Sequence, residues 1–195
     1  MNIADFIESI DPFDLLVVLV LAALFILGFI QGTIRRLVGI ASILFAFLLA
    51  ANLREPLGNY LAANWTQFAP EYAVMIGFGT IFVAAVLALS LVIQSSYKKV
   101  PLFEKYTVVD EVLGGLLGVL QGLLLIGMMI IILDSFFRLP GIAPRPTELP
   151  FLRDLYSAYT ESATANIFRF NLIPGFLAVV GLFIPQTLRE LFPGR

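Results

Sequence analysis

Residues 110–134 read DEVLGGLLGVLQGLLLIGMMIIILD, and the 22 residues from Val112 to Leu133 carry no charge. At about 1.5 Å per residue, such a helix is roughly 33 Å long, enough to cross the hydrocarbon core of a bilayer. Gly114, Gly118 and Gly122 recur every fourth residue. At about 100° per residue they form one narrow stripe, with Gly115 at its edge and Gln121 beside it. Lipid tails give helices no hydrophobic reason to associate, so a stripe of small residues matters because it lets a second backbone come close. The stripe predicts the seam of a helix bundle. Gln121 then faces protein, as interhelical glue worth about 1 kcal/mol or less. The alternative for Gln121 is the polar lining of a water-filled path.

The whole chain agrees with a membrane setting. Its 195 residues are 59% hydrophobic and 13% charged, with a mean hydropathy of +0.95, whereas soluble domains are about a quarter charged. A net charge of -2 leaves no basic footprint for nucleic acid. With no cysteine and no histidine, thiol and Ser-His catalysis, disulfides and the usual zinc and haem ligands fall away, and no cofactor is expected. Asp5, Glu8, Asp11 and Asp14 precede or open the first apolar run without a base among them. That predicts a retained helix in place of a cleaved leader.

Asp11-Pro12 is a helix start, cap then first turn, and opens a span at about 13–32. Gly28 and Gly32 near its end form a second small-residue pair. Arg35 and Arg36 follow at once, then a second span at about 36–53, so the two helices are expected to be antiparallel neighbours. Arg54, Glu55 and Pro56 are expected to stop it. A short interfacial helix with Tyr60, Trp65 and Phe68 at headgroup depth follows, then spans at about 72–93 and 112–133. Residues 138–195 form a different region: a proline-rich linker, an amphipathic helix over 152–170, and a 13-residue apolar piece at 172–184. With Pro174 near its start, that piece reads as re-entrant or interfacial and not as a fifth span. The expectation is an all-α, polytopic membrane protein: a bundle of four transmembrane helices with interfacial, amphipathic C-terminal helices.

Orientation follows from Lys and Arg near the spans. Arg35, Arg36, Lys98, Lys99 and Lys105 lie on one side and Arg54 on the other, with Arg138, Arg145 and Arg153 weakening the contrast without reversing it. The positive-inside rule puts Arg35 in the cytoplasm and both termini on the periplasmic side.

GFIQGTIRRLVGI after the first span, VDEVLGGLLGVLQGLLLIG into the fourth and ILDSF closing it resemble the colicin V production protein family of bacterial inner-membrane proteins. The matching positions are Arg35, Asp110 and Asp134. The chain departs from the family pattern at Gln31-Gly32 and Gln121-Gly122, where Arg-Gly is common, and at Arg36, where an acid is usual. The resemblance implies a four-span protein that assists production or export of a peptide toxin and envelope physiology, and brings no catalytic residues. LGFIQG at 27–32 also resembles LGVLQG at 117–122, as an inverted repeat would.

An ion pair between Arg35 and Asp110 is motivated by the favourable placing of an acid, and not an arginine, at a helix start. The plainer reading of Arg35 is contact with lipid phosphates. Three functions compete. The first is a non-enzymatic membrane factor for toxin export or envelope maintenance. The second is a small channel or transporter with a polar path near Gln121. The third is an intramembrane enzyme, for which Ser42 and Ser90 lack any activating lysine or histidine within a span. The expected partners are the lipid bilayer, other membrane or export proteins, and a second copy packed on Gly28 or Gly114.

Overall fold

The structure, a computed structural model, describes residues 11–96, 107–139 and 148–190. All its elements are helical: α1 (Pro12–Gln31), α2 (Thr33–Asn64), α3 (Pro70–Ser96), α4 (Thr107–Phe137) and α5 (Pro150–Thr160). Then come α6 (Ala163–Ile167), a π turn (Phe168–Leu172), α7 (Ile173–Val180), a 3-10 turn (Gly181–Phe183) and α8 (Gln186–Arg189). Asp11 caps α1 as its sequence predicts, accepting from the Phe13 N–H at 2.7 Å. The chain is an all-α membrane protein, and its long helices α1 to α4 overlap the four stretches expected to span.

The consecutive helices α1 and α2 are not packed neighbours. Gly32 alone connects them, at φ +81°. One residue spans about 3.8 Å, short of the roughly 8–10 Å between packed helix axes, so the pair splays apart. Instead α1 packs on α4 and α2 on α3.

Helix α2 also runs past its expected end, through Arg54, Glu55 and Pro56 to Asn64, and takes in the separate interfacial helix. A proline inside a helix costs about 3 kcal/mol, and packing offsets it here. A Cβ on Gly58 would run into Val74 of α3, and one on Gly77 would lie 3.1 Å from the Gly58 nitrogen. These glycines bring two backbones together along α2 and α3. Phe47 and Phe78 pack in the same interface nearer the start of α2, with ring centroids 5.9 Å apart.

The expected amphipathic helix at 152–170 is broken in two. Asp14 of α1 accepts the N–H groups of Ala163 and Thr164 at 3.2 and 3.0 Å. Ser162 accepts that of Ala165 at 3.0 Å. Three otherwise orphaned amides are thus satisfied and a new helix starts. From there Ala163–Phe183 is long and apolar enough to cross a membrane, so among the described residues five such helices stand where four were expected.

The flanks of this fifth segment meet the same end of the bundle. Its start touches Asp14 through Thr164 and Asp134 through Arg169. At its far end Asn52 donates to Phe183 O at 2.9 Å, and just beyond it Arg54 donates to Thr187 at 2.7 Å. Between them Phe168 packs on Gly127, about 10 Å along α4 from Asp134, and Phe176 packs on Phe47. An aromatic row crosses this end through Trp65, Phe68, Tyr72, Phe136, Phe137, Tyr156, Tyr159 and Phe13, with successive centroids 4.8 to 5.7 Å apart.

Candidate functional site

The α1–α4 interface gathers every glycine of the predicted stripe. A Cβ on Gly28 would run into Gly114 O, and one on Gly118 into Leu24 O. On Gly114 it would lie 2.5 Å from Gly28 O, and on Gly122 2.7 Å from the Leu21 and Leu24 side chains. Gly115, at the edge of the stripe, faces the Phe25 ring. At Gly28, Gly114 and Gly118 these are approaches of one main chain to another that any side chain would prevent, close enough for dispersion and weak Cα–H bonds. The glycines offered above to a second copy are therefore occupied within the chain.

The upper end of the seam is polar. Gly32 donates its N–H to Gly28 O at 2.9 Å, closing α1. Its positive φ suits glycine, and an added Cβ would stand 2.6 Å from Asp110 Oδ2. Asp110 is buried, and its carbonyl accepts from the Thr33 hydroxyl at 2.9 Å. The structure thus brings Gly32 and Asp110 together. An Arg35–Asp110 bridge is not among the ion pairs of the described residues. Instead Arg35 lines a polar cavity with Gln121. The neighbouring Arg36 is the buried one, and its Nη1 donates to Gln121 Oε1 at 2.7 Å. That bond makes Gln121 a link between α2 and α4.

At the opposite end, Asp134 is fully buried. Arg169 clasps it with Nε on Oδ2 at 2.8 Å and Nη2 on Oδ1 at 2.6 Å. The Tyr159 hydroxyl donates to Oδ1 at 3.0 Å, and Arg138 stands 3.8 Å away. Burial, then the Asp134 carboxylate, push the Tyr159 hydroxyl up from its ordinary value, so it stays a donor. The guanidinium of Arg169 also lies over the Tyr156 and Tyr159 rings. This cluster ties α4, α5 and the π turn to one point.

Arg36, Arg169, Tyr159, Arg54 and Gly58 were not among the candidate site residues from sequence. An arginine inside an apolar run, as in Phe168-Arg169-Phe170, was the available signal, since such a charge needs a partner. Ser42 donates to Val38 O at 2.8 Å along its own helix, and Ser90 borders the polar cavity. Lys98, Lys99 and Lys105, and the linker prolines before Pro150, lie outside the described residues.

The family model described as colicin V production protein matches residues 13–168. No curated protein and no solved structure matches the chain.

Proposed function

The chain belongs to the colicin V production protein family, and from that premise we propose a non-enzymatic protein of the bacterial inner membrane. It assists production or export of a peptide toxin and supports the envelope. The observation that carries this reading is the reach of the family match, which takes in α1 to α5 and so both the glycine seam and Asp134. Arg36 with Gln121, and Arg169 and Tyr159 with Asp134, bond one helix to another, which suits a scaffold that holds or receives other membrane proteins. The test is complementation in a toxin-producing host deleted for its own family member. The wild-type chain restores secreted toxin, and a chain carrying Gly118→Leu does not. Failure of the wild-type chain to restore secretion overturns the reading.

A second reading, a small channel or transporter, draws on the polar cavity of about 190 Å³ beside Gln121. It requires ion flux in liposomes that Gln121→Leu removes.

In this proposal the Arg35 end is cytoplasmic and the Asp14 end outside. Segment 163–183 enters the bilayer from outside and returns there, because its flanks meet Asp14, Asp134 and Arg54. The natural chain has no cysteine, so single cysteines at the exposed positions Glu161 and Glu190 report sidedness directly. Both are expected to react with an impermeant maleimide on intact cells. Reaction of either only after permeabilisation contradicts the arrangement.

A further inference from the structure

At the Arg35 end, a cavity of about 190 Å³ is walled by Gln31, Arg35, Arg36, Ser90, Gln94 and Gln121. Arg36 is only 5% exposed. One of its donors reaches Gln121 Oε1, while its Nε is buried with no acceptor. Among the described residues neither Arg35 nor Arg36 belongs to an ion pair. Asp110 opens α4 at the same end, but its carboxylate lies against Gly32 and it does not line the cavity. Arg54, the other arginine with a buried unpaired Nε, differs in having Glu55 at 3.5 Å and Thr187 at 2.7 Å.

A guanidinium withdrawn from water, beside a second arginine and without a carboxylate, is costly unless an anion joins it. We infer that this cavity binds an anionic phosphate group. The planar fork of Arg36 matches two oxygens of a phosphate. The glutamine amides and the Ser90 hydroxyl supply further neutral donors. The volume exceeds by several-fold the roughly 30 Å³ share of one water. The group has two sources. One is the headgroup of an anionic lipid, since the neighbouring Leu37, Leu91 and Val92 are exposed on the bundle surface. The other is free phosphate from solution.

The test uses the full chain in a sugar-headed detergent that contains no phosphate. Phosphatidic acid is titrated in one arm and inorganic phosphate in the other, against chloride at matched ionic strength, and the unfolding temperature is followed. A saturable rise is expected, as for any ligand held by the folded state alone. Arg36→Gln is expected to weaken the apparent affinity about tenfold or more, the scale of one lost charged hydrogen bond. Because Arg36→Gln also touches the Gln121 link, Gln94→Glu provides an independent variant. Gln94 is exposed, so its replacement leaves the fold intact while placing negative charge at the cavity, and the response is expected to disappear. A response to phosphatidic acid alone assigns the site to a lipid headgroup, and one to inorganic phosphate as well assigns it to free phosphate. No saturable shift in either arm, or wild-type responses from both variants, overturns the inference. Neither result bears on toxin secretion, so this site and the export role stand or fall separately.

Discussion

Replacing Arg169 with alanine is expected to destabilise the folded chain by about 3–5 kcal/mol, the usual consequence of leaving one partner of a buried ion pair behind. The side chains of Arg169 and Asp134 are 9% and 0% exposed. Without Arg169 the carboxylate keeps only the Tyr159 hydroxyl and the longer contact to Arg138. Arg169→Lys is expected to recover only part of the loss, because an ammonium cannot reproduce the two-pronged clasp. Thermal unfolding in detergent measures the size of the effect, and limited proteolysis shows where it falls, with 150–190 released first. The double change Asp134→Asn with Arg169→Gln is expected to be milder than the two single changes added together. Additive losses would mean that the two side chains do not act as a pair.

Gly118→Leu is expected to cost at least about 3 kcal/mol, the upper end for overpacking, because the obstacle is a main-chain carbonyl and not a side chain that can turn away. Even a Cβ at this position runs into Leu24 O, so Gly118→Ala already forces α1 and α4 apart. Gly79 provides the contrast. There an added Cβ meets only Ile132 Cγ2, at 3.6 Å, an ordinary contact. Gly79→Ala is therefore expected to be neutral or to stabilise by up to about 1 kcal/mol, from helix propensity alone. A loss from Gly118→Ala beside no loss from Gly79→Ala in one bundle, read from unfolding temperatures, separates a packing seam from simple tolerance of glycine.

The seam was legible because it rests on local arithmetic. Glycines at intervals of four lie on one face whatever the remainder of the chain does. Asp110 and Asp134 stood out as the acids bounding an uncharged run. What sequence did not reveal was partnership across distance. The partner of Asp134 lies 35 residues on, just before an apolar run that, at 13 residues with Pro174 near its start, looked too short to cross a membrane. Once Arg169 is paired, the apolar segment extends back to Ala163 and a fifth membrane-length helix appears. Arg54, Glu55 and Pro56 misled in the same way. They read as a helix end, yet Arg54 is buried beneath Thr187, 133 residues later, and Gly58 locks the continuing helix to Val74. Arg36 rather than Arg35 became the buried arginine because the α2 register turns position 36 toward Gln121, and sequence alone does not place the first turn after a one-residue connection.

The close approach of α1 and α4 supports everything else, and a pair of cysteines tests it. Leu21 and Gly122 face one another across the seam, with a Cβ at 122 lying 2.7 Å from Leu21 Cδ2. In the otherwise cysteine-free chain, Leu21→Cys with Gly122→Cys is expected to oxidise in native membranes to a disulfide within one chain, with both thiols lost and no dimer formed. Leu19→Cys with Gly122→Cys, whose first position is 62% exposed on the outer face of α1, is expected to keep its thiols under the same conditions. A free-thiol result for the 21–122 pair, or equal oxidation of both pairs, would contradict the glycine-seamed bundle.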